Sequence, residues 1–181
     1  MRCSYVNQAS AKTESDFSIE KYGERTAEKE ECEEQLLAEY ASLLAFFVVS
    51  VAAVTGIALD QKRLPRRFGL LDLALLGIAT HKLSRIIAKD RITSILRAPF
   101  VCYVGSAGAG EVEEEPRGHG IQRGIGHLIS CPYCTAPWCA TALAFGLIFA
   151  PRATRFFAGI LASVAASDFL QRAYLAAKEK T

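Results

Sequence analysis

The residues best suited to chemistry in this chain are one histidine and three cysteines, spaced His127-x3-Cys131-x2-Cys134-x4-Cys139. Imidazole and thiolate bind zinc in proteins, so one interpretation is a four-ligand zinc site, although the second ligand pair of most zinc motifs is missing. A second interpretation is a redox pair of Cys131 and Cys134, because thiols one helical turn apart can form a reversible disulfide. The third interpretation is structural, with small polarizable side chains packing the start of a helix.

The segment Cys131-Pro132-Tyr133-Cys134 predicts a helix that begins at Cys131, because proline is favoured at the first helical position. Pro137 is an alternative helix start, which would leave both cysteines in the preceding turn. C-P-Y-C is also the redox motif of glutaredoxins, but those need a preceding strand and a βαβ unit, and here a glycine-rich segment precedes it. We expect no glutaredoxin fold, and a structural or metal-linked role for the cysteines rather than catalysis.

Two acidic residues, Asp72 and Asp168, lie inside apolar runs. A charge at mid-membrane costs about 2.5–3.5 kcal/mol, so each carboxylate is expected to pair with a base on another helix. His81, Lys82 and Arg85 are the candidate partners. A pathway for protons or ions, as in a small transporter, is the alternative. No phosphate-binding glycine motif, nucleophile elbow or helical zinc-histidine pair is present, which argues against the usual enzyme classes.

The composition is that of a folded, apolar chain. Of 181 residues, 51% are hydrophobic and 22% are charged, which excludes a wholly disordered protein. The net charge of +2 is too small to indicate a nucleic-acid binder. Residues 41–59 carry no charge and nearly match the ~20 residues that cross a bilayer, so they predict a transmembrane helix. Four bases follow directly and are expected to contact anionic lipid headgroups: Lys62, Arg63, Arg66 and Arg67.

Three further segments complete the predicted membrane domain. Residues 68–88 are apolar at first and basic later, so they either span the membrane or lie in its interface. Residues 131–150 and 156–177 predict a transmembrane hairpin, with Trp138 anchored at the interface. The predicted fold class is therefore all-α, an integral membrane protein with three to four apolar helices that ends in a transmembrane hairpin.

Two domains are expected, an acidic, solvent-exposed tail over residues 1–40 and a helical membrane domain over residues 41–181. The tail is predicted to be partly helical, because its second half is rich in Glu, Lys and Ala. Residues 101–127 combine many glycines with an acidic run, which favours a mobile loop. The tail and this loop are the expected contact surfaces for a protein partner.

A set of short motifs carries a family resemblance: A-T-H-K-L-S-R over residues 79–85, K-D-R-I-T over residues 89–93, L-R-A-P-F over residues 96–100, and C-P-Y-C followed by Trp138. This combination resembles a family of small bacterial membrane proteins known as domain of unknown function thirteen-sixty, one member of which is associated with sporulation. The resemblance covers about residues 68–176. It implies a multi-pass protein of the bacterial inner membrane with no established chemistry.

The predicted function is that of a small membrane anchor or interaction subunit without an evident catalytic site. The first alternative is a thiol-redox or metal-binding membrane protein built on Cys131 and Cys134, with zinc as the candidate metal. The second alternative is a small transporter that uses Asp72 and Asp168.

Overall fold

The computed structural model of the protein describes residues 19–65 and 69–179 and is mostly helical. Two predicted features lie outside these ranges, the first 18 residues of the acidic tail and the headgroup contacts of Arg66 and Arg67. The described elements, in chain order, are α1 (Ile19–Asp60), α2 (Leu70–Lys89), α3 (Ser94–Arg97), β1 (Val101–Gly108), β2 (Glu111–Pro116), α4 (Ile121–Ser130), α5 (Pro132–Phe149) and α6 (Pro151–Lys178). The predicted helical class is confirmed, with the addition of a small two-stranded sheet.

The prediction of a loop over residues 101–127 was wrong. β1 and β2 form an antiparallel hairpin, and α4 follows. The turn places Ala109 at φ 47° and Gly110 at φ 81°. A two-residue turn with two positive φ angles matches the right-handed twist of the strands, and glycine adopts that conformation without strain. Gly105, Gly108 and Gly110 therefore mark an irregular hairpin rather than a mobile segment.

In the part of the chain that the structure describes, three helical segments are long and apolar enough to cross a membrane: Leu37–Asp60 of α1, Pro132–Phe149 and Pro151–Lys178. Only 6% of the most apolar part of α1 is buried, and Leu44, for example, is 63% exposed. Apolar surface exposed on this scale is unusual for a soluble monomer and is compatible with a membrane. α2 has a similar length but carries four charged side chains, Asp72, Lys82, Arg85 and Lys89.

α2 lies at the centre of the helical packing, against both α5 and α6. The largest core cluster joins one face of α2 to Leu143 of α5 and to Ala158 and Leu161 of α6. Ala79 of α2 and Ala158 of α6 are almost fully buried, and such small side chains let helices approach closely. α5 and α6 form a tight helical hairpin, because only Ala150 separates them.

Two ion pairs fix the register of α2 on α6. Arg155 donates from Nε and Nη2 to the two carboxylate oxygens of Asp72, each at 2.9 Å. Lys82 Nζ lies 2.7 Å from Asp168 Oδ2. The pairs lie about 15 Å apart along α2 and about 20 Å apart along α6, so the two helices run parallel.

The bases that pair with Asp72 and Asp168 differ in part from those predicted. Asp168 pairs with Lys82, one of the three expected bases. Asp72 pairs with Arg155 instead of His81, Lys82 or Arg85, because those three lie about two to four turns further along the same helix. Arg85 pairs with Glu111 of the hairpin.

A folded cap, defined as residues 90–130, covers one end of the helices. Its centre is the Arg97 side chain, which is 2% exposed and donates to Glu114 Oε2 at 2.6 Å. The same guanidinium donates to the backbone oxygen of Asp90 at 3.1 Å and to the hydroxyl of Thr93 at 2.6 Å. Arg97 thus links the end of α2 to β2, and its ion pair with Glu114 avoids the cost of a buried unpaired charge.

We expect Asp168→Asn to lower the thermal stability of the detergent-solubilised protein by at least about 1 kcal/mol, because it leaves the Lys82 ammonium, whose side chain is 13% exposed, without its carboxylate. Glu113→Gln, which removes an exposed carboxylate of the cap, is the matched control. Combining Asp168→Asn with Lys82→Met should restore part of the loss. Equal melting temperatures for Asp168→Asn and the control would contradict this role.

Candidate thiol site at the start of helix α5

Cys131 occupies the junction between α4 and α5. It has an extended backbone (φ −108°, ψ 112°) and is followed by Pro132 at the start of α5, as the sequence predicts. The alternative start at Pro137 was wrong, because this proline lies inside α5. The buried hydroxyl of Thr135 lies 2.8 Å from the backbone oxygen of Leu128 and 3.0 Å from that of Cys131. This hydroxyl therefore ties the end of α4 to the first turn of α5.

The two thiols of the C-x2-C motif are free and contact each other. Cys131 is half-buried and Cys134 is exposed. Burial raises the pKa of the Cys131 thiol, but hydrogen bonds from the Cys134 side chain and from the backbone N–H groups of Cys134 and Tyr133, with the nearby charge of Lys89, outweigh burial and lower the pKa below its usual value. A thiol of this kind is the more reactive member of a redox pair.

The other two predicted metal ligands do not join this pair. Cys139 is 4% exposed and lies further along α5. The His127 ring packs edge-on against Tyr40, with ring centroids 5.9 Å apart. Within residues 37–65 and 69–179, no group of three or more His, Cys, Asp or Glu side chains could hold a metal ion. The described residues therefore do not assemble the predicted four-ligand zinc site.

An apolar groove of ≈520 Å³ runs beside the thiols, between α1, α4 and α5. Leu43, Leu44, Phe47 and Trp138 form much of its wall. The Trp138 ring packs on α1, with its centroid 4.8 Å from that of Phe47. Trp138 therefore packs α5 against α1. The sequence predicted only that Trp138 lies at the membrane interface and did not predict this contact.

Glu39 is the functional candidate that the sequence analysis missed. It was counted with the solvated tail, yet it is 8% exposed and packs against Gly124 of α4. Its Oε2 atom is buried and makes no hydrogen bond to any residue within the described ranges. Its charge acts on His127, whose pKa is lowered by burial and by Arg123 and raised less by Glu39. The signal in the sequence was the spacing of Glu39 and Leu43, which places both on one helical face.

The remaining predicted residues lie away from the thiols. A second cavity of ≈290 Å³ lies between α2, α6 and the hairpin, and its mixed polar and apolar lining includes His81, Lys82, Arg85 and Asp168. Asp72 lies at the opposite end of α2. Lys62 and Arg63 are exposed just after α1, and the Arg63 guanidinium carbon is 5.9 Å from the centroid of the Phe149 ring.

Comparison with known proteins gives a family without a known activity. The profile of the family described as "Protein of unknown function (DUF1360)" matches residues 75–174. The chain belongs to this family. The DUF1360 match begins within α2 and ends within α6, so α1 lies outside it. The resemblance inferred from the motifs of residues 79–100 and from C-P-Y-C is therefore confirmed.

Two proteins of Bacillus subtilis (strain 168) are similar to this DUF1360 chain. The UPF0713 protein YngL is 28% identical over 110 residues, which cover 59% of this chain and 81% of YngL. The sporulation protein YjcA is 33% identical over 95 residues, which cover 51% of this chain and 80% of YjcA. No solved structure matches the chain.

We expect Cys131 to react with iodoacetamide at a lower pH than a free cysteine, because its lowered pKa leaves more thiolate at any pH below about 8.5. The measurement is the alkylation rate of the Cys131 peptide against pH, followed by mass spectrometry. Cys134→Ala and Lys89→Gln should each move the midpoint upward, since each removes an interaction that stabilises the thiolate. Cys139→Ser is the matched control. A midpoint equal to that of free cysteine would contradict the site described here.

Proposed function

We propose that this DUF1360 protein is an integral membrane protein in which α1, α2, α5 and α6 cross the bilayer and the cap lies at one membrane face. The exposed apolar surfaces of α1 and α6 support this arrangement, because they have no partner among the described residues and suit lipid. The ion pairs of Asp72 and Lys82 support a spanning α2, since they neutralise charges that would otherwise prevent insertion.

We further propose that the protein exchanges thiols and disulfides through Cys131 and Cys134. The observation that carries this proposal is the hydrogen-bonded pair of free thiols at the start of α5, with the pKa of Cys131 lowered. The sequence favoured a structural or metal-linked role for these cysteines. The contact between the two thiols favours redox exchange over metal binding, since Cys139 and His127 do not complete a metal-binding group with them among residues 37–65 and 69–179.

The exchange uses the greater exposure of the Cys134 residue and the lowered pKa of the Cys131 thiol. In the oxidised state, a thiolate of a partner protein attacks Sγ of the exposed Cys134, and Cys131 leaves as the thiolate. A thiol of low pKa is the better leaving group. A second thiol of the partner then attacks the mixed disulfide and releases Cys134. The partner gains a disulfide, and the pair of Cys131 and Cys134 gains two electrons.

The test is the redox equilibrium of the full chain in detergent with reduced and oxidised glutathione. We expect the Cys131–Cys134 disulfide to form and break reversibly at a potential between about −320 and −120 mV, as measured by mass spectrometry after acid quenching. Cys131→Ser and Cys134→Ser should abolish it, and Cys139→Ser should leave the midpoint unchanged. Absence of this disulfide across the whole range would refute the exchange function.

Membrane insertion has its own test. We expect the protein to sediment with membranes and to stay there during alkaline carbonate extraction, because at least three helices are long and apolar enough to span. A single charge at the centre of α1, Val49→Lys, should weaken retention, since Val49 is 66% exposed on a face proposed to meet lipid. Recovery of the wild-type protein in the soluble fraction without detergent would overturn the proposed location.

A second candidate function is a membrane anchor or interaction subunit without catalysis. It is favoured by exposed apolar side chains on the cap, since Ile92 is 88% and Ile95 is 79% exposed. The acidic tail and residues 101–127 remain proposed contact surfaces for a protein partner, and Lys62 and Arg63 for anionic lipid. The transporter alternative gains no support, because Asp72 and Asp168 are both engaged in ion pairs.

A further inference from the structure

The groove beside the thiols is amphiphilic, with an apolar wall and a polar end. Leu44, Phe47 and Trp138 line its apolar part, while Tyr40, His127 and the two thiols form its polar part. Its volume of ≈520 Å³ lies within the range of small-molecule sites. Two of the helices that line it, α1 and α5, are candidate membrane spans. A molecule dissolved in the bilayer could therefore enter between them without crossing water.

The polar end contains an imidazole that lines the groove together with the two thiols. The imidazole of His127 lines the groove, and the lowered pKa of His127 keeps it neutral near pH 7. The buried Oε2 of Glu39 acts electrostatically on His127 and has no hydrogen-bond partner among the described residues. Glu39 does not line the groove itself and acts on a molecule bound there through the imidazole of His127. Oxidation of the dithiol releases two protons, and the neutral imidazole of His127 lines the same groove.

We propose that this groove binds a lipid-soluble quinone and that the quinone oxidises the dithiol of Cys131 and Cys134. This inference rests on the thiol exchange proposed above and names the acceptor of its electrons. Two S–H bonds break, one S–S bond forms, and two electrons and two protons pass to the quinone, which leaves as the hydroquinone. Each turnover then transfers a disulfide to the partner protein and returns the pair to its reduced state.

A quinone fits both parts of the groove better than a lipid acyl chain does. An acyl chain could cover Leu44 and Phe47, but it would leave the imidazole of His127 and the phenol of Tyr40 without partners. The carbonyl oxygens of a quinone accept hydrogen bonds from N–H and O–H donors, and its ring and tail are apolar. Burying polar donors against an acyl chain costs free energy, whereas pairing them with carbonyl oxygens avoids that cost.

The experiment uses the full chain in detergent, reduced beforehand and freed of excess reductant, mixed anaerobically with decylubiquinone. The ring of this probe is fully substituted, which prevents addition of the thiol to the ring. We expect loss of the quinone absorbance in step with appearance of the Cys131–Cys134 disulfide, at a rate that saturates with quinone concentration. Cys134→Ser should abolish the reaction, and Cys139→Ser should not affect it.

The groove itself is tested by Leu44→Trp, with Leu59→Trp near the other end of α1 as the matched control. For Leu44→Trp, the ratio of the quinone rate to the rate of exchange with oxidised glutathione should fall about tenfold or more, because the indole fills the quinone position. Glu39→Gln should lower the same ratio. Wild-type exchange with glutathione but no quinone reduction, or a quinone rate that never saturates, would overturn the quinone site and leave the exchange function standing. Failure with both oxidants would overturn both.

Discussion

The pairing of charges on α2 is the constraint on which the rest of the structure depends. α2 packs between two apolar helices although it carries an acid near its start and three bases in its second half. Asp72 and Lys82 can be accommodated there because each lies next to an oppositely charged side chain of α6. Arg155 pairs with Asp72, and Asp168 pairs with Lys82. These pairs determine that α2 runs parallel to α6. The small residues of both helices then form the contact surface, which brings the helices close.

The same helix organises the cap and, through it, the thiol site. Beyond Lys82, the basic side chains of α2 interact with residues outside α6. Arg85 forms an ion pair with Glu111 of the hairpin, and the charge of Lys89 helps to lower the pKa of Cys131. Arg97 closes this end by bonding to Glu114 and to the backbone of Asp90. The proposed redox site is therefore held by three separate elements, α2, α4 and α5. A reactive thiol needs this kind of rigid support, because its pKa depends on the distances to its neighbours.

The thiol pair and the groove form one functional unit in the proposals made here. Exchange needs an exposed sulfur and a good leaving group, which Cys134 and Cys131 supply. The proposed acceptor reaches the pair from the bilayer, and the groove between α1 and α5 is its proposed path. The DUF1360 match covers α5 with both cysteines but not α1. The wall of the groove that comes from α1 thus lies outside the segment by which the family is recognised.

The sequence by itself determined the apolar helices, the helix start at Pro132 and the need of Asp168 for a base, because composition, local propensity and the cost of a bare charge act within short segments. It did not determine which charges pair. Asp72 pairs with Arg155. Glu114, which lies in the segment predicted to be a loop, is the buried partner of Arg97. Nor could it show that Glu39 is buried or that His127 and Cys139 do not join the thiols in a metal-binding group. These features depend on distances between segments far apart in the chain, and only tertiary packing sets such distances.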